Sequence, residues 1–354
     1  MPYARWLLLL LLVVQPCASG CRSCYQLATR SRLTVDGPVD GNVVIHQPPT
    51  AAEGPMLEMS LDGSPLSAHA PRIAVVDIDG PLFNMNLTGL GSLGENPVGM
   101  FHEKLSAVAA QPQVAAVVLR INSPGGSVAA TDLMAHELAR FRGISGVPVV
   151  ACLMDLGTGG AYYLAAGADR IVALPTTVTG GIGVIINLFN LRETMATINI
   201  LGQSVKAGEY IDVGTSTDAM TDEGRAMVQQ IADQFHQRFI QQVRMNRPVA
   251  PAAEVFDGRI LTGPQAMDAG LVDRVGYLDD ALQLARDQAG CPQARAVIYH
   301  RREDKVRSPY AITPNVPLQG NLFPISLPGL DRSRLPTFLY MWQPDPTLER
   351  LGGR

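Results

Sequence analysis

Lysine is nearly absent from this chain. Among 28 basic residues in 354, only Lys104, Lys206 and Lys305 are lysines. Arginine stays charged and cannot stand in for an amine that must accept a proton, so the choice of a lysine base is narrow. Cysteine is sparse too: Cys17, Cys21, Cys24, Cys152 and Cys291 show no even spacing, which argues against a disulfide scaffold. The six histidines are scattered with no i,i+4 pair, and "AHELAR" offers His-Glu without a second histidine. A zinc-peptidase site is therefore not expected, nor any other metal or cofactor. Charge is low, at 17% of residues with a net −4, and no basic cluster stands out, which argues against a nucleic-acid partner. Apolar residues make up 47%, enough for one large core.

The most apolar run, "WLLLLLLVV" (Trp6 to Val14), is too short to span a bilayer as a mature helix. With Arg5 before it and the small residues "ASGC" after it, it reads as a signal peptide over residues 1–20. The residues before Cys21 resemble a bacterial lipobox, with Ala18 where leucine is commoner. The expectation is an exported, membrane-associated lipoprotein on the periplasmic side, acylated at Cys21. The alternative is ordinary cleavage near Gly20 and a soluble secreted or periplasmic protein.

Residues 21–70 are rich in Pro, Gly, Ser and Thr and read as a linker. A main domain is expected over 71–297, followed by an extended tail over 298–354. "RIAVVDIDGPLF" opens the domain, and strand and helix patterns then alternate. "VAAVVLRI" is almost wholly apolar, as in a strand buried on both faces. The pattern predicts an α/β fold with a mostly parallel sheet and helices on both faces. Ligands of such sheets bind beyond the strand C-termini, where both "NSPGGSV" and "GTGGAYY" fall. Met227, Ile231, Phe235, Phe239 and Val243 recur every fourth residue on a C-terminal helix, as core or as a subunit contact. "LPTFLYMWQPDP" in the tail is expected to dock on a neighbour or a membrane surface, or else to be a disordered end.

From about Arg72 to Ala289, six ordered blocks resemble the signal peptide peptidase family, the S49 serine peptidases of the ClpP/crotonase superfamily. They are "RIAVVDIDGPL", "VVLRINSPGGSV", "YYLAAGADRIVALPTTVTGGIGVI", "VKAGEYID", "MTDEGRAMVQQIADQFHQRFI" and "DGRILTGPQAMDAGLVDRVG". The resemblance implies a ClpP/crotonase-like sheet, a serine nucleophile, a lysine base about fifty residues later, and an oxyanion hole of backbone N–H groups. It places that hole at Gly125, Gly126 and Gly160. It also implies peptides or membrane-released signal peptides as ligands, and a homo-oligomer or an active S49 homologue as partner.

The family motif Ala-Ser-Gly-Gly-Tyr-Tyr has no serine here. One alignment sets Thr158 on the serine and makes Ala161 an insertion; the other is gapless and sets Gly159 there. An inserted residue would rotate the following helix by about 100° and exchange its buried face, which favours the gapless alignment. The base position falls on Ile211, while Lys206 matches a family lysine that is not the base. The expected function is thus an S49 homologue without its Ser/Lys dyad, acting as a peptide-binding or scaffold pseudopeptidase. The alternative is an active endopeptidase using Thr158 with Lys206 or an unrecognised base. Acyl-thioester chemistry on the related crotonase fold is a third, weaker reading.

Overall fold

A computed structural model describes residues 55–61, 67, 69–86, 95–247, 252–301, 304, 306, 308–311 and 337–342. The signal peptide, Cys21 and most of the linker lie outside the described residues.

Strands β1 (Leu57–Ser60), β2 (Arg72–Asp79), β3 (Val114–Ser123), β4 (Gly125–Ser127), β5 (Val149–Thr158) and β6 (Arg170–Ala173) come first. Strands β7 (Val178–Gly180), β8 (Ile260–Thr262), β9 (Arg274–Val275), β10 (Arg295–His300) and β11 (Leu339–Met341) follow. The helices are α1 (Pro97–Ala109), α2 (Val128–Ser145), α3 (Gly160–Ala165), α4 (Arg192–Thr197), α5 (Asp222–Asn246), α6 (Gly263–Asp268) and α7 (Leu278–Ala289). The main sheet runs β1-β10-β2-β3-β5-β6-β9, with β7 joining the end of β5 and β8 pairing β7. Every neighbour pair from β10 to β9 is parallel; β1–β10 and β7–β8 are antiparallel. This is the expected α/β fold, a mostly parallel sheet covered on both sides.

Side-chain alternation accounts for the two layers. Ala74, Val76, Val117, Leu119, Ala151 and Leu153 join the core that includes residues of α1, α2, α3 and α5. Ile73, Val75, Ala116, Val118, Val150 and Cys152 face Leu278, Ala281, Leu282 and Ala285 of α7. Cys152 is a buried core residue, and desolvation pushes its thiol up to about 12.

Two boundaries differ from the sequence reading. The sheet begins upstream of residue 71, because β1 pairs with β10, and β10 runs past residue 297 to His300. The apolar stripe on α5 is only half used: Phe239, Ile240 and Val243 are buried, while Met227 is exposed.

A buried ion network crosses the C-terminal part of β2 and β3. Lys104 Nζ lies 2.6 Å from Asp77 Oδ1, and Arg120 Nη2 lies 3.1 Å from Asp79 Oδ2 and 3.7 Å from Asp77 Oδ2. Arg120 also donates to the carbonyls of Pro309 and Ala311, so the same guanidinium ties the start of the tail to the sheet. Burial outweighs Arg120 at Asp79 and raises its carboxyl to about 6.

Two outcomes follow for stability. Lys104→Ala leaves Asp77 buried without its closest cation and is expected to cost about 3–5 kcal/mol in urea unfolding, with Lys104→Met costing less. Asp79 holds its proton more tightly when folded, so stability should fall as pH rises from 3.8 to about 6 and level off above. Asp79→Asn should remove that part of the decline in a series of unfolding midpoints against pH.

Candidate functional site

Both glycine turns lie at the C-terminal ends of adjacent parallel strands. β3 runs through Pro124 into β4 and then α2, whose N-cap Ser127 accepts from Ala130 N–H at 3.3 Å. β5 ends at Thr158, and α3 starts at Gly160. Between them Gly159 has φ 55° and ψ −123°, a conformation open to glycine and costly for any L residue. It is a sharp strand-to-helix turn of the kind that raises a nucleophile above a helix N-terminus. Here it raises no side chain.

The two turns touch. A Cβ built on Gly125 would lie 2.7 Å from Gly160 N. Gly125 has φ 99°, and its N–H donates to Ser123 Oγ at 3.1 Å. Its contribution is therefore the missing side chain; of the three glycines, Gly126 and Gly160 are left to offer N–H groups to a carbonyl. Gly126 is locked by its neighbour, since a Cβ there would meet Leu82 O at 1.8 Å. Leu82 N–H donates to Gly125 O and Ser127 N–H to Leu82 O, both at 2.9 Å.

A third strand fills the cleft. β11 pairs antiparallel with β4, setting Leu339 opposite Ser127, Tyr340 opposite Gly126 and Met341 opposite Gly125. Val128 N–H donates to Phe338 O and Trp342 N–H to Pro124 O. By alternation Tyr340 and Gly126 form the hydrogen-bonded pair between them, which turns the Gly126 N–H to the Tyr340 carbonyl. On its other edge Leu339 exchanges two hydrogen bonds with Ile185, at 2.9 and 3.0 Å. The Tyr340 carbonyl oxygen stands 2.1, 2.4 and 3.2 Å from where Cβ atoms on Gly125, Gly159 and Gly160 would be. The segment is thus neither docked on a neighbour or membrane surface nor a disordered end, the outcomes expected from its composition: it pairs with its own chain, because β4 and Ile185 offer open backbone edges that an apolar run without strand period does not announce.

The Tyr340 side chain is fully buried. Its ring stacks on Tyr163 at 5.4 Å between centroids and packs at 4.8 Å from Phe239. Its hydroxyl donates to Phe235 O at 2.6 Å, and burial holds it above the ordinary phenol range. Leu339 and Met341 point the other way and pack with Phe83.

The fallback residues are engaged elsewhere. Thr158 is buried, and its Oγ1 donates to Pro124 O at 3.2 Å. Lys206 Nζ lies 2.8 Å from both Asp212 carboxylate oxygens and 3.1 Å from Glu209 O, in an exposed loop. Ile211 is 74% exposed in that loop, and the heavy atoms nearest a Cβ on Gly159 belong to Tyr340 and Met341. His102 bonds Glu137 at the surface, and His236 approaches Ile182 O at 3.1 Å. No cluster of three or more metal-ligating side chains occurs among the described residues.

Residues 143–291 match the family model described as Peptidase family S49. The likeness runs from the end of α2 to just past α7. "Putative signal peptide peptidase SppA" of Enterococcus faecium is 28% identical over 234 residues, 66% of this chain and 68% of its own length. "Serine protease SPPA, chloroplastic" of Arabidopsis thaliana is 32% identical over 198 residues, 55% of this chain and 29% of that protein. "Protease 4" of Salmonella typhi is 34% identical over 184 residues, 51% and 29% of the two chains. The chain thus spans about two thirds of the first relative and under a third of the other two. No helix among its described residues is long and apolar enough to cross a membrane.

The glycine contacts give a paired expectation. Gly126→Ala drives a methyl into the Leu82 backbone and should cost at least about 1–3 kcal/mol in denaturant unfolding. Gly143→Ala, in α2 with nothing within 4 Å of the new Cβ, should instead stabilise by about 0.5–1 kcal/mol.

Proposed function

We propose that this S49 chain is a pseudopeptidase: it holds extended peptide strands in the family's cleft and does not cleave them. The observation that carries the reading is the Tyr340 carbonyl lying against Gly159, where a nucleophile's side chain would have to be. A serine hydroxyl needs both a side chain and an adjacent base. Glycine at 159 and isoleucine at 211 supply neither. The Thr158 hydroxyl faces Pro124 O, and Lys206 is bonded to Asp212, so the fallback pair is not organised as a dyad. In this reading the protein is exported and tethered by a lipid on Cys21, and it works as a homo-oligomer or beside an active S49 homologue. Its ligands are peptides, including signal peptides released from the membrane.

The competing reading, an endopeptidase acting on such peptides, draws on relatives named as proteases. Fluorophosphonate labelling and hydrolysis of unstructured peptides separate the two. The exported chain is expected to show neither. Turnover lost on Thr158→Ala would overturn the pseudopeptidase reading in favour of a threonine nucleophile.

A further inference from the structure

Resting on that reading, we infer that the cleft is a tyrosine-selective peptide site, that Phe338–Trp342 of the same chain is its standing occupant, and that glycine at 159 is what admits it.

The occupant is held as a ligand strand would be. It is hydrogen-bonded along one edge to Gly125–Ser127 and along the other to Ile185, which is strand addition from within the chain. Backbone bonds of this kind accept any sequence; selectivity has to come from the side-chain pocket. Tyr340 is enclosed by Tyr163 and Phe239, and the Phe235 carbonyl accepts from its hydroxyl. Phenylalanine fills the same space but gives up the hydroxyl's hydrogen bond to the Phe235 carbonyl. Leucine or alanine leaves a void between two aromatic rings.

Gly159 is the second half of the argument. A Cβ there would lie 2.4 Å from Tyr340 O, 2.7 Å from Tyr340 C and 2.9 Å from Met341 N. All three are backbone atoms, so no rotamer change relieves the contact. A serine at 159 and this docked strand exclude each other in the present geometry. Deleting the nucleophile side chain therefore removes chemistry and makes room for a permanent strand in one substitution. The peptide that competes must be extended, carry tyrosine with an aliphatic neighbour on either side, and displace the tail.

Hydrogen exchange and calorimetry on the full exported chain test this. Amides of Leu339 and Tyr340 should be protected in the wild type and exposed in Gly159→Ala and in Tyr340→Ala. Tyr340→Ala is the arm that survives if Gly159→Ala fails to fold. A synthetic Thr-Phe-Leu-Tyr-Met-Trp peptide should bind Tyr340→Ala at least tenfold more tightly than wild type. The same peptide with phenylalanine for tyrosine should bind about 3- to 10-fold more weakly. Unprotected amides in the wild type, continued protection in Tyr340→Ala, or equal affinity for the two peptides would overturn the proposal. Cleavage of the bound peptide by Tyr340→Ala would instead overturn the pseudopeptidase reading and leave the tail's occupancy standing.

Discussion

At the ends of β3 and β5, main chain packs on main chain with no side chain between. Gly160 N stands 2.7 Å from the place of a Gly125 Cβ, and Leu82 O stands 1.8 Å from that of Gly126. The β3–β5 register shifts between Ile121 and Ser123, where β3 turns towards β4. Leu82, Gly125 and Ser127 then close the turn through their backbone hydrogen bonds. Move any of these strands outward by the width of a methyl group and the docked strand loses its partner edge. The glycines are thus required by packing alone. Their presence says that the cradle is built and says nothing about turnover.

Chemistry in such a cradle needs one nucleophile and one neutral base, and the charged groups here are committed to other work. Lys104 is an interior counter-charge to Asp77. Lys206 spends its ammonium on Asp212, whose carboxyl it holds below the ordinary range. Arginine takes over the remaining positive charge, as at Arg238 on Asp132 and Arg142 on Asp169. Planar, permanently charged guanidinium suits these structural pairs and is unsuited to proton transfer. The Tyr340 ring is instead received by two aromatic faces and one backbone carbonyl, an apolar pocket with a single polar contact.

The sheet was legible because its strands obey simple patterns. "VAAVVLRI" is apolar throughout, and the structure buries it between two layers. The two glycine turns were legible as neighbours because parallel strands bring their C-terminal ends together. The α5 stripe misled by half: a period of four marks a face, and only tertiary contact decides how far along it is covered, here from Phe239 onward. Ile211 illustrates another limit. Matching a motif position says what residue stands there, while the exposure of its loop is a property of the folded chain. The tail strand was the least legible part, since its docking depends on a surface assembled from residues about one hundred to just over two hundred positions upstream.

A tethered strand differs from a free peptide mainly in concentration. Arg120 grips Pro309 and Ala311, so the tail leaves from a fixed point on the sheet before Leu339 reaches the glycine turns. Linking two binding events in this way gives the second an effective concentration on the order of millimolar when the connection can reach. A free peptide of the kind proposed above would have to exceed that, by offering more contacts along the cleft than five residues allow. The Arg120 network contains Asp79, whose raised carboxyl gains a proton at about pH 6 and then neutralises one of the charges that position the guanidinium. Arg120 therefore joins the charge state of the sheet to the start of the tail, which it holds by two backbone carbonyls.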